Sequence, residues 1–264
     1  MNAPVSVAEL QRAWQAVEAG EFRTAEPAKR RRQSSWTPTG ATMAVVGASG
    51  RVGASLCAVG LATAADEPSR VVECSPMHST GLAAATTAEL GVTASGWRRG
   101  TRGTVQIQRT TSSYESVDNV PVPEAGDRVL TVIDAGWDLN QILRSSSWLN
   151  TVVTTVPLMI VTVATIPGLR ALDIALQMTS RPEDTWCAVV GPPQRKWPKQ
   201  LRFSADQRVQ AAIDTGRLST IPHVLDLCLS GLTTAPLPPH IVAAATPVLD
   251  RLVEHAKGNH HDHP

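Results

Sequence analysis

Tyrosine and phenylalanine are nearly missing from this chain: one Tyr and two Phe stand beside seven Trp in 264 residues. No aromatic residues interleave the basic stretch Lys29, Arg30, Arg31, Arg32, so nothing there supports a specific nucleic-acid surface. An excess of charge of one sign is missing too. The formal net charge is +1, so no global field draws nucleic acid or an acidic membrane. Of the four cysteines, Cys57, Cys74, Cys187 and Cys228, none forms a CxxC pair, which argues against a zinc ribbon or a disulfide framework. Reduced thiols packed in a core are the expectation. No basic segment followed by an apolar stretch opens the chain, as a secretory signal would. The longest apolar run, 152–164, is broken by Thr154, Thr155, Pro157 and Thr162 and is too short for a membrane span. A soluble, cytoplasmic protein is expected.

What is present is an alternation. Residues 6–20 place Leu10, Trp14 and Val17 on one helical face, and the basic stretch Lys29, Arg30, Arg31, Arg32 follows as a linker. Those four charges fit either a solvated connector or a phosphate-contacting arm. The expected organisation is a helix and linker over 1–35, an α/β domain over 36–256 and a polar, His-rich tail over 257–264. Within the domain, strands are predicted at 42–47, 70–74, 103–109, 128–134, 158–164, 185–191 and 218–222. Helices are predicted at 53–65, 81–90, 139–149, 168–178, 205–215 and 239–255. Strands apolar at nearly every position, separated by helices, predict a three-layer α/β fold with a largely parallel sheet covered on both faces.

The most informative segment runs from Met43 to Leu56. An apolar strand leads through Gly47, Gly50 and Gly53 into a small-residue helix. Unpaired N–H groups and the helix dipole at such a terminus favour an anion. Two machines use this layout. In the dinucleotide layout, Gly47-x-x-Gly50-x-x-Gly53 wraps a pyrophosphate, and Glu73 at the end of the second strand binds a ribose hydroxyl of NAD(P). The spacing resembles that of NAD(P)-binding reductases of Rossmann type. Their usual Tyr-x-x-x-Lys pair has no counterpart here, since Tyr114 is followed by Glu115, Ser116, Val117 and Asp118.

In the phosphate-loop layout, G-x-x-x-x-G-K-[ST] wraps the phosphates, its lysine meets the β/γ-phosphates and its hydroxyl meets Mg²⁺. Aligned on that hydroxyl, the chain offers Gly53, Ala54 and Ser55, with Gly50, Arg51 and Val52 in the loop, Ala48 at the first glycine position and Ala54 at the lysine. A lost charge-assisted contact of this kind is worth roughly 1.5–3 kcal/mol.

Further segments follow in order. Val71, Val72, Glu73, Ser75 and Pro76 precede Gly81. Arg128 to Asp134 is an apolar strand ending in an acid, followed by Gly136 and Trp137. The strand at 158–164 leads into Pro167 and Gly168, and Val189, Val190, Gly191 and Ile221, Pro222, His223 come later. This series resembles the ParA/MinD-type branch of the P-loop ATPases over roughly residues 40–235. The resemblance implies a P-loop NTPase-like fold, with Glu73 and Ser75 in acidic positions after the second strand and Asp134 as the Walker-B acid near Mg²⁺. It also implies ATP as cofactor, Ser55 and Asp134 as metal holders, a protein partner, dimerisation across ATP, and roles in DNA segregation, cell-pole placement or conjugative transfer. The departures are systematic: Ala54 for the loop lysine, Ser49 for the family's signature lysine, Gly191 for an adenine-contacting asparagine. They imply a degenerate loop, hence a weak nucleotide binder or pseudo-ATPase acting as a partner-binding or regulatory module.

Several residues keep two readings. Asp134 holds metal-bound water or caps the next turn, and Ser55 ligates Mg²⁺ or bonds within the first helical turn. Arg51, or an arginine of the turn 97–102, replaces the lysine or is solvated. Gln194 to Trp197 is a partner-binding edge or a plain loop. His260, His261 and His263 form a polar terminus.

Overall fold

Alternation along β1 (Ala41–Gly47) sets the architecture. Met43 and Val45 enter one apolar cluster, while Ala44 and Val46 enter another on the opposite face. A strand buried on both faces must be central and covered twice. The computed structural model describes residues 35–259 apart from 39, 77–78 and 126–129, with side chains through Arg251. The helix expected over 6–20, the basic linker and His260–His263 lie outside the described residues.

Among the described residues, eight further strands join it in the sheet: β2 (Ser69–Glu73), β3 (Ala88–Val92), β4 (Trp97–Arg102), β5 (Val105–Thr110), β6 (Leu130–Asp134), β7 (Leu158–Val163), β8 (Thr185–Val190) and β9 (Leu218–Ile221). Their order is β3-β4-β5-β2-β6-β1-β7-β8-β9. From β5 to β9 every pairing is parallel, and β4 and β3 close one edge antiparallel.

The described helices are α1 (Ala54–Ala64), α2 (Leu139–Arg144), α3 (Trp148–Thr155), α4 (Ile166–Met178), α5 (Lys199–Phe203), α6 (Gln207–Asp214), α7 (Leu225–Ser230) and α8 (Pro239–Asn259). One face packs under α1 and α8 through Cys57, Leu61, Ile241 and Val248. The other packs under α2, α3, α4 and α6 through Ile142, Leu149, Leu172 and Val209. The three-layer, largely parallel α/β fold is therefore present. Trp36 joins the second cluster edge-on to Trp148 at 5.5 Å. No helix among the described residues is long and apolar enough to cross a membrane.

Three predicted elements differ. The helix expected over 81–90 is a run of turns ending in β3. Its backbone groups are claimed by distant side chains: Glu73 accepts from the N–H of Gly81 and Leu82, and Arg109 and Arg102 donate to the carbonyls of Ala83 and Ala85. The basic turn expected over 97–102 is the strand β4. Trp97 is buried with its indole N–H on the Val122 carbonyl, and Arg102 also donates to the carbonyls of Thr233 and Ala235. The single helix expected over 139–149 breaks at Ser145–Ser147, because Ser147 caps a new helix by accepting from the Asn150 N–H at 3.3 Å.

Two loops at the strand ends are pinned to each other. The Trp137 indole donates to the Cys74 carbonyl at 2.8 Å. Gly136 sits at φ 65, and a Cβ there would lie 1.9 Å from Ser75 Oγ. Gly136→Ala is therefore expected to destabilise the protein by more than about 2 kcal/mol. Gly50→Ala, with no atom within 4 Å of its added carbon, is expected to stay within about 0.5 kcal/mol. Urea unfolding of both variants checks the pair.

Candidate functional site

The parallel strands end together, and a cleft of about 960 Å³ opens there. Its walls include Gly50 to Ser55, Thr80, Gly81, Asp134, Gly136, His223 and Cys228. In open α/β sheets such crevices beyond the carboxyl ends of strands are where ligands bind.

The loop from β1 carries the first wall. Ala48 N–H donates to the Val161 carbonyl at 2.8 Å, which keeps the chain on the sheet before it turns. Arg51 has φ 60 and its side chain is exposed. Gly53, at φ 93, is the N-cap of α1 and supplies no side chain to its first N–H groups; no acid stands in the first turn. The helix start is thus a bare array of donors at the positive end of a dipole, open to an anion. Val52 points inward, 4% exposed. Ala54 adds no charge. Among the described residues lining the cleft, Arg51 is the one arginine or lysine.

The second wall holds two acids in register, Glu73 of β2 opposite Asp134 of β6. Their surroundings differ sharply. Glu73 is 1% exposed and accepts from Gly81 N–H at 2.7 Å, Leu82 N–H at 3.2 Å and the Thr80 hydroxyl at 2.5 Å. It stands behind the cleft and straps the 80–82 loop in place. That loop then crowds the helix start, since a Cβ on Gly81 would lie 2.9 Å from Ser55 Oγ.

Asp134, also 1% exposed, has neither carboxylate oxygen in a hydrogen bond. Burial, and then the charge of Glu73, push its acid up to about 7; the Ser55 hydroxyl nearby pulls the other way without reaching hydrogen-bond geometry. Burial raises Glu73 as well, but its donors and Arg109 oppose that rise. Glu73 therefore has donors that favour its charged form, whereas burial first and the neighbouring Glu73 second disfavour the charged form of Asp134.

A buried carboxylate without partners needs an explanation, and a cation supplies one. Ser55 and Asp134 fit a hard divalent ion as two oxygen donors beside an anion-binding helix start. Within hydrogen-bond reach the structure does not join Glu73 to that pair. The capping role weighed for Asp134 has no bond to support it, and it is Asp138 that caps α2 by accepting from Asn140 and Gln141 N–H.

The remaining candidates lie elsewhere. Arg102 is committed to three carbonyls and Arg109 to Glu89 and Ala83, on the β4–β5 side of the sheet away from the loop. The arginines of 97–102 do not line the cleft. Trp197 is core, its indole donating to the Pro192 carbonyl at 2.9 Å. Gly191 backs against Ala164, as Gly191 N–H donates to the Ile221 carbonyl. Sequence reasoning missed Thr80 as a Glu73 partner and missed α7, where Cys228 is exposed rather than buried as expected.

The strand order separates the two glycine-loop layouts. In a dinucleotide fold the first two strands are neighbours. Here β6 lies between β1 and β2, so Asp134 adjoins the loop while Glu73 stands one strand further away. This order does not favour NAD(P).

No family model and no curated protein matches the sequence. Solved structures do match. The MinC:MinD cell division protein complex of Aquifex aeolicus aligns at 14% identity and a TM-score of 0.52, over 81% of this chain and 96% of that chain. Apo McdA from Cyanthece aligns at 11% identity and 0.52, over 81% and 100%. MinD of Aquifex aeolicus gives 14% and 0.51, over 81% and 98%. The fold is the ParA/MinD-like P-loop fold.

The two acids make stability depend on pH. A group whose folded pKa is raised contributes stability at low pH and loses it as pH climbs to the folded value. Stability is expected to fall between about pH 4 and pH 7–8 as Asp134 ionises. Asp134→Asn should flatten that fall and exceed the wild type at pH 8 by a few kcal/mol in order of magnitude. Chemical unfolding at pH 5 and pH 8 measures it; equal slopes for the two proteins would contradict the assignment.

Proposed function

We propose that this chain is a ParA/MinD-like protein with a degenerate phosphate loop, a weak nucleotide binder that acts as a partner-binding regulatory module. The observation that carries the reading is the position of β6 between β1 and β2, which sets the unpaired Asp134 beside Ser55 at the open start of α1. An acid, a hydroxyl and a helix N-terminus in this arrangement suit a phosphate chain with its divalent ion.

The chain's own groups divide the work. N–H groups at the start of α1 would donate to phosphate oxygens, and the loop from Gly50 to Gly53 would wrap them. Ser55 and Asp134 would hold Mg²⁺, which when bound neutralises charge on the terminal phosphates. Glu73, through Thr80 and Gly81, keeps the loop packed against Ser55. What is lacking is a fixed cation at Ala54. Without it, binding is weaker by roughly one to two decades, from a lost contact of about 1.5–3 kcal/mol. Phosphoryl transfer suffers further because it depends on charge stabilisation at the γ-phosphate. Arg51 is the side chain placed to compensate in part.

A regulatory role fits a fold that keeps its cleft while shedding its cation. The Aquifex aeolicus neighbour was solved as a MinC:MinD complex, which supports a protein partner for this chain. The process we assign is of the kind the sequence resemblance implies, DNA segregation, cell-pole placement or conjugative transfer.

Calorimetric titration with Mg-ATP and Mg-ADP tests the reading. The wild type should bind in the range of tens of micromolar or weaker without measurable turnover, and Ala54→Lys should tighten binding about tenfold or more. Arg51→Ala should loosen it. Tight wild-type binding with turnover that Asp134→Ala abolishes would overturn the pseudo-ATPase reading.

A further inference from the structure

Three of the four thiols are closed to chemistry. Cys57, Cys74 and Cys187 are buried, and burial pushes Cys57 and Cys187 up to about 12 and Cys74 well above its ordinary value. Such thiols stay protonated and inert. Cys228 is different in kind. It is exposed on α7, and its Sγ lies 3.2 Å from Nε2 of His223, itself exposed in the segment after β9.

The pair is held by the backbone. Cys228 N–H donates to the Val224 carbonyl at 3.1 Å, so the first turn of α7 sets the distance between the thiol and the residue preceding that turn. Both side chains line the cleft that also contains the buried, unpartnered Asp134. The thiol therefore faces a space already marked for a ligand.

We propose that Cys228 and His223 form a thiol-exchange site in the wall of the cleft, with low-molecular-weight disulfides as its substrate class. His223 Nε2 takes the proton from Cys228 Sγ, and the thiolate attacks one sulfur of the disulfide. A new S–S bond to Cys228 forms as the original S–S bond breaks. The electron pair leaves with the departing thiolate, which takes the proton back from His223. The products are a mixed disulfide on Cys228 and one free thiol; the incoming disulfide is the oxidant, and an added thiol reverses the step. This site does not depend on nucleotide binding, so it stands or falls separately from the function proposed above.

The experiment treats the native full chain with oxidised glutathione, and in parallel with iodoacetamide, at pH 7, with the modified residue located by mass spectrometry. A first adduct at Cys228 is expected, forming about tenfold faster than on free cysteine in the same buffer. His223→Gln, a change at an exposed position, should bring the rate down to that of free cysteine. Cys228→Ser should take up no adduct while native. A first adduct on any other cysteine, a wild-type rate equal to that of free cysteine, or His223→Gln reacting as fast as the wild type would overturn the proposal.

Discussion

The structure turns on two carboxylates at the ends of adjacent strands and on their unequal treatment. Glu73 receives three donors from one loop, while Asp134, in register with it, receives none. A buried acid left without donors would be purged from an ordinary core, since its desolvation is uncompensated. The function we propose gives it a use beside the open start of α1. The strapped acid shapes the wall, and the free acid faces the space the wall encloses.

The same arrangement explains why the cleft is open chemically as well as sterically. In the function we propose, the N–H donors at the helix start and the acid on β6 complement a phosphate–metal pair. On that proposed reading, Ala54 in the lysine position leaves the pair's negative side undercompensated. In the function we propose, a fold that keeps the geometry without a lysine at position 54 retains a binding surface with less of the electrostatic lever that phosphoryl transfer uses.

Much of this was legible in the sequence, for local reasons. Buried parallel strands announce themselves as apolar runs, so β1, β6, β7 and β8 emerge close to where the structure has them. The glycines and the small residues of α1 mark the loop, and Asp134 is visible as the acid that ends an apolar strand. What was hidden depends on contacts across long sequence separations. The segment 81–90 has helical composition, yet Glu73, Arg102 and Arg109 take its backbone groups. β4 reads as a charged turn because the carbonyls that Arg102 reaches lie in other segments. That β6 separates β1 from β2 is a matter of strand order, to which periodicity is blind. Cys228 sits in an apolar string, and only the exposed helix α7 shows that its thiol meets His223 rather than a core.

The central claim is that Asp134 is a buried, unpartnered acid at the phosphate loop. Infrared difference spectroscopy between wild type and Asp134→Asn reads it directly, through the carboxyl stretch of the protonated acid followed against pH. The account predicts a midpoint of about 7 without added cation, moving lower when Mg²⁺ is added. A midpoint near 4, the ordinary aspartate range, would contradict it.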